Sequence, residues 1–131
     1  MANVNESLPL YVRIAEGAKE YLLLGVFQEE VQLPSTTVLS KQYGINIATV
    51  NKALSLLVDE GLVYKKRGVG MFVKKGALNR LIKERRKTFV EQYVIAACQE
   101  AKKLRYSFDE LRQIARDAFK EVYGIDPDEA R

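Results

Sequence analysis

LPSTTVLSKQYGINIATVNKALSLLVDEGLVYKKRGVGMFV, residues 33 to 73, decides the fold of this chain. Ser35 follows Pro34 and is placed to cap a short helix running to about Tyr43, which Gly44 closes in a left-handed conformation. Asn46 can cap the next helix after a turn of only Gly44-Ile45. In that helix Val50, Ala53, Leu54, Leu57 and Val58 form an apolar stripe, leaving Ala48, Thr49, Asn51, Lys52 and Ser55 nearer the other side. Gly61 stops it, and two strands, about Leu62 to Lys66 and Gly70 to Lys75, join across Arg67 to Val69. Two helices across a tight turn, followed by a basic hairpin, make the plan of a winged helix-turn-helix. The outward residues are short, polar or basic, as a duplex groove and its phosphates require. An αα corner that merely packs would explain the helix pair but not the hairpin.

Charge is distributed in the same sense. The 131-residue chain carries a formal net charge of +4. From Val31 to Lys75, however, the basic residues Lys41, Lys52, Lys65, Lys66, Arg67, Lys74 and Lys75 face only Asp59 and Glu60, a local excess of +5. Such an excess on one motif is the electrostatic footprint of a phosphate-binding surface.

Composition excludes several alternatives. Histidine is absent, which removes Ser/His/Asp and Cys/His nucleophilic chemistry, and the lone Cys98 leaves no soft ligand cluster for structural zinc. Gly68 and Gly70 sit between strand-like segments rather than between a strand and a helix, so RGVGMF is not a phosphate-cradling loop. We expect no enzyme, no metal and no cofactor. No apolar run approaches the roughly 18 to 20 residues that span a bilayer, and MANVNESLPLY has no signal-peptide pattern. A soluble, cytoplasmic protein is expected.

Upstream, residues 1 to 7 read as a loose arm. Pro9 opens a first helix whose Leu10, Ile14, Ala18, Tyr21 and Leu22 recur at helical spacing, and Gly25 ends it. Downstream, Ala77 begins a long amphipathic helix reaching about Leu104, with Leu78, Leu81, Ile82, Phe89, Val90, Tyr93, Val94, Ala97, Ala101 and Leu104 in one stripe. Ser107 to Glu110, SFDE, is a capping box opening a last helix lined by Phe108, Leu111, Ala115, Ala118, Phe119 and Val122 and ended by Gly124. The predicted fold is mostly α with a small β-hairpin. Residues 1–76 form the winged helix-turn-helix, 77–124 a two-helix dimerisation region, and 125–131 a flexible tail.

Two helices with this much apolar surface need a partner, and the simplest is a second copy of the chain. Phe89, Tyr93, Ala97, Leu111, Ala115 and Phe119 are the candidate dimerisation residues. In a competing monomer the stripe folds back onto the winged domain. Phe89 and Tyr93 read as packing residues, and no polar constellation defines a small-molecule effector, so that partner stays unknown.

The segments PLYVRIAEGAKEYLLLG, LPS, NIATVNKALSLLVDEGLV and RGVGMFV, in this order, closely resemble the winged-helix domain of the GntR family of bacterial transcription regulators over about residues 9 to 73. The short continuation, including EAKKLRYSFDEL, resembles the YtrA-type subfamily. The resemblance implies a dimeric repressor of double-stranded DNA, often of genes for an adjacent ABC transporter. It places Ser35, with Thr36 and Thr37, at the start of the second helix against a phosphate. Asn46, Ala48, Thr49, Asn51 and Lys52 fall on or beside the recognition helix, and Lys66, Arg67, Gly68 and Gly70 in the wing, whose tip can reach the minor groove. The chemistry agrees: Ser, Thr and Lys reach phosphates, Asn can read adenine with two hydrogen bonds, and an Ala methyl can meet a thymine methyl.

The chain departs from the family at three places. Thr37 stands where an arginine is usual, Ile47 where many members carry another, and Glu29-Glu30 replaces a proline-glycine. Arginine to guanine is the commonest specific base contact, so a different operator with weaker guanine readout is expected. A reading from another class is a protein-interaction module that uses the winged helix as scaffold.

Overall fold

A computed structural model describes residues 7–130. The chain runs α1 (Leu10–Leu23), α2 (Thr36–Tyr43), α3 (Ile47–Asp59), β1 (Val63–Lys66), β2 (Gly70–Val73), α4 (Ala77–Phe89), a π-helical segment (Val90–Ile95), α5 (Ala96–Lys103) and α6 (Phe108–Tyr123). Apart from Ser7, the arm expected over residues 1 to 7 lies outside the described residues.

Local chemistry sets most of the boundaries. The Ser35 hydroxyl accepts from the Val38 amide at 3.1 Å, and the Asn46 side chain from the Ala48 amide at 2.8 Å, each satisfying an orphan N–H of its helix. Gly44 takes φ +64 and closes α2 by donating to the Ser40 carbonyl. At α6 the capping box is complete: Ser107 Oγ accepts from the Glu110 amide at 3.1 Å, and Glu110 accepts from the Ser107 amide at 3.0 Å. The bond from the Ser107 amide, and after it the Ser107 side chain, hold the Glu110 carboxyl below its ordinary pKa.

The core of the first unit gathers Ala15 and Leu22 of α1, Leu33, Val50, Ala53, Leu54 and Leu57 of α3, Leu62, Val63, Val73, and Ala77 and Leu81 of α4. Three expected stripe residues lie at the edge instead: Leu10, Tyr21 and Val58 are 44%, 37% and 36% exposed. The buried residues of α1 are Ala15, which the expected stripe omits, and Leu22, which it includes.

β1 and β2 pair antiparallel, with Val63 opposite Val73 and Lys66 opposite Gly70. The loop before α2 adds a partial third edge that the sequence did not announce. Glu29 and Gln32 bridge to Val73 and Phe72, the Leu33 amide donates to Met71 O at 2.8 Å, and the Glu30 amide to Val73 O at 2.8 Å.

Glu29 extends this pairing to the next helix. Its carboxylate accepts from the amides of Gly76 and Leu78, both at 3.0 Å, and so caps α4 from 47 and 49 residues upstream. The bond from Gly76, then that from Leu78, hold its pKa below the ordinary glutamate value. A pKa lowered by folding contributes stability that is complete above the unfolded value and is lost as pH falls through the folded one. Replacing Glu29 with Gln is therefore expected to flatten the fall of the thermal midpoint between about pH 5 and about pH 3. Parallel midpoint curves for the two proteins would show that this carboxylate has no such role.

Ion pairs bind the same helices. Lys19 of α1 meets Glu60 at 2.8 Å and Glu16 at 3.1 Å, and Arg85 of α4 meets Glu20 at 2.8 Å. Burial opposes the charge of Lys19, but its hydrogen bonds to Glu60 and Glu16 outweigh it and raise the pKa. Arg80 of α4 donates to the carbonyls of Glu60 and Gly61, which end α3.

The described chain divides into two compact units, one ending at Arg85 and the other beginning at Arg86. The division falls later than the expected start of the dimerisation region at residue 77, because Ala77 and Leu81 are buried in the first unit's core. In the second unit the expected single α-helix is interrupted by the π segment. Phe89, Tyr93, Ala97 and Ala101 recur every fourth residue, a longer repeat than the 3.6 of an α-helix, and the π segment falls within that run. Among the described residues of this unit Ala101 alone is buried. As far as Ala130, the segment expected as a tail forms turns, with Asp128 paired to Arg116 at 2.8 Å.

Candidate nucleic-acid interface

The first turn of α3 carries no acidic residue, so nothing offsets the positive end of its dipole. Ala48, Asn51, Lys52 and Ser55 are exposed and Thr49 is half-buried. The buried stripe of Val50, Ala53, Leu54 and Leu57 turns this face outward. Its acidic residues, Asp59 and Glu60, stand at the opposite end, where Glu60 is engaged by Lys19.

Capping fixes what two candidates can offer. Ser35 has an oxygen occupied by Val38, yet its hydroxyl proton can still be donated to a phosphate. The Asn46 oxygen accepts one bond, from Ala48, which leaves its second lone pair and its amide protons for a ligand. Beside Ser35, Thr36 is half-buried and Thr37 exposed at the start of α2. Ile47, where many relatives of the resembled family carry arginine, is 45% exposed on the same end of α3.

Lys52, the single cation of α3, lies with its ammonium 4.3 Å from the centre of the Tyr11 ring on α1. An aromatic face attracts an ammonium without supplying a counter-charge. In the hairpin Lys65, Lys66, Arg67, Gly68 and Val69 are exposed. Gly68 takes φ +76, a conformation that suits glycine at the turn.

The wing is built more firmly than its sequence announces. Tyr64 and Phe72 stack at 5.7 Å, and Lys66 lies 5.8 Å from the Phe72 ring centre. The Tyr64 hydroxyl donates to Glu30 at 2.7 Å, and that bond raises the phenol pKa. Gln32 donates to the Val69 carbonyl at 2.8 Å. Tyr11, Glu30 and Gln32 were not among the sequence candidates; the replacement of proline-glycine by Glu29-Glu30 was the one visible signal.

Residues 10–73 also match the bacterial regulatory proteins of the gntR family. This segment is a GntR domain. The HTH-type transcriptional repressor NagR of Bacillus subtilis is 38% identical over 82 residues, 61% of this chain and 34% of that protein. A histidine utilization repressor of Klebsiella aerogenes is 37% identical over 65 residues, 50% of this chain and 27% of that protein. The chain spans about a third of the length of the curated relatives it matches. Among solved structures, a GntR-family transcriptional regulator from Bacteroides thetaiotaomicron superposes with a TM-score of 0.65 at 28% identity, covering 86% of this chain and 98% of that one. That coverage reaches past the GntR domain into the C-terminal helices.

The candidate dimerisation residues lie beyond the GntR domain. Phe89 and Tyr93 have ring centres 5.9 Å apart and are both exposed, as are Ala97 and Ala115. Leu111 and Phe119 are half-buried, and Phe119 stacks on Tyr123 at 3.9 Å. Among the described residues no group of acidic or thiol side chains could hold a metal ion, and no helix is long and apolar enough to cross a membrane.

Proposed function

We propose that this chain is a homodimeric, sequence-specific transcription repressor acting in the cytoplasm on a pseudo-palindromic operator, with α3 in the major groove and the wing on the backbone or minor groove. The observation that carries the reading is the face of α3: small and polar side chains with one lysine, free of acid in the first turn, within a GntR domain. Relatives named as repressors support the direction of control. Twofold pairing through the exposed C-terminal stripe would set two half-sites about one helical turn, or 34 Å, apart. The YtrA-type resemblance adds an ABC transporter operon beside the gene as the regulated target.

Selection of bound duplexes from a random pool at physiological salt, with stoichiometry read by light scattering, tests this directly. A palindromic winner bound by two chains is expected; failure to enrich any duplex would point to a protein-binding winged helix. On the winning site, Lys52→Ala and Arg67→Ala should each weaken operator and random DNA alike and lower the salt slope by about 0.9 per lost phosphate contact. Asn51→Ala should instead relax preference at particular bases, costing about 1 to 3 kcal/mol on the operator. Equal losses on operator and random duplexes for all three would sink this division of roles.

A further inference from the structure

We infer that Gln32 is a positioning residue for the wing, holding the turn that presents Arg67; its DNA consequence rests on the function proposed above. A hairpin of two four-residue strands is marginal by itself and needs outside support. The backbone of residues 30 to 33 supplies it along β2, through Glu30 to Val73 and Leu33 to Met71. That pairing stops short of the turn.

The Gln32 side chain covers the remaining distance. Its Nε2 donates to the carbonyl of Val69 at 2.8 Å, two residues from Arg67. Val69 in turn donates its amide to Lys66 O at 3.0 Å, which closes the turn from within. Gly70 makes room for the reach: a Cβ there would stand inside contact distance of the Gln32 amide nitrogen, and φ +148 already disfavours any L side chain. The glycine is thus required by the glutamine as well as by the backbone. A turn ordered before binding loses less freedom on meeting a duplex, so Arg67 is presented already aligned.

Gln32→Met tests the inference, since methionine matches the length and removes the donor. In the free protein, amide exchange at Val69 and Gly70 should quicken by about tenfold, the worth of one net hydrogen bond, while exchange in α1 and the thermal midpoint hold. Unchanged exchange at Val69 would overturn the inference. Affinity for the selected duplex should fall about five- to tenfold in the parent and no further in an Arg67→Ala background. Equal losses in both backgrounds would also overturn it, because Gln32 would then act independently of Arg67. A parent chain that binds no duplex would refute the proposed function instead, and the exchange rates would still decide the role of Gln32.

Discussion

Leu81→Ala is expected to destabilise the first unit by about 3 kcal/mol, within the 2 to 5 kcal/mol typical of a buried leucine. Leu81 is 2% exposed and packs in one core with Val50, Leu54 and Leu57 of α3. The loss combines the transfer free energy of the missing methyl and methylene groups with the cavity left among neighbours that relax only partly. It should appear in urea as a lower midpoint with an unchanged slope. Lys83→Ala, on the exposed side of the same helix, should stay within about 0.5 kcal/mol of the parent. Leu81 lies eight positions beyond the end of the matched GntR segment. A variant as stable as the parent would mean that the GntR domain folds without α4, and that the burial of Ala77 and Leu81 is incidental.

The second large effect concerns assembly. Phe89→Ser with Tyr93→Ser should convert a dimer to a monomer, raising its dissociation constant by at least about a hundredfold, because truncating a central aromatic commonly costs 2 kcal/mol or more and each copy would contribute both. Phe89 is 54% exposed, and Val90, Val94 and Ile95 beside it are exposed as well, an apolar run of the kind that marks an interaction surface. Sedimentation equilibrium over a range of concentrations reads the change. Operator affinity should collapse toward that of a single half-site while each GntR domain keeps its folded stability. A parent that is already monomeric at micromolar concentration would defeat both this prediction and the homodimer proposed above.

The signals read correctly from the sequence were those whose cause lies within a few residues. Ser35, Gly44, Asn46, the Ser107–Glu110 box and Gly124 act on backbone one turn away, so their chemistry identifies the boundary without any tertiary knowledge. The outward face of α3 was legible because Val50, Ala53, Leu54 and Leu57 fix its inward face. Contacts across long stretches of chain were not legible. Glu29 reaches α4, Arg80 reaches the end of α3, and Gln32 crosses 37 residues to the wing. In each case the residue looks like ordinary surface until the fold brings its partner near. The π segment was missed for a different reason: the four-residue spacing sits close enough to helical periodicity to pass as α.

The cap on α3 limits what the chain can say to DNA. One lone pair of the Asn46 oxygen is already used by Ala48 and holds that side chain at the helix end, so under the proposed function Asn51 is the amide within α3 placed to read adenine with two bonds. A single two-bond reader encodes little information per half-site, far less than a genome-sized search demands. Recognition would then depend on reading the same short word twice at a fixed spacing, and mutations that shift the spacing would erase the address more thoroughly than mutations that misspell it.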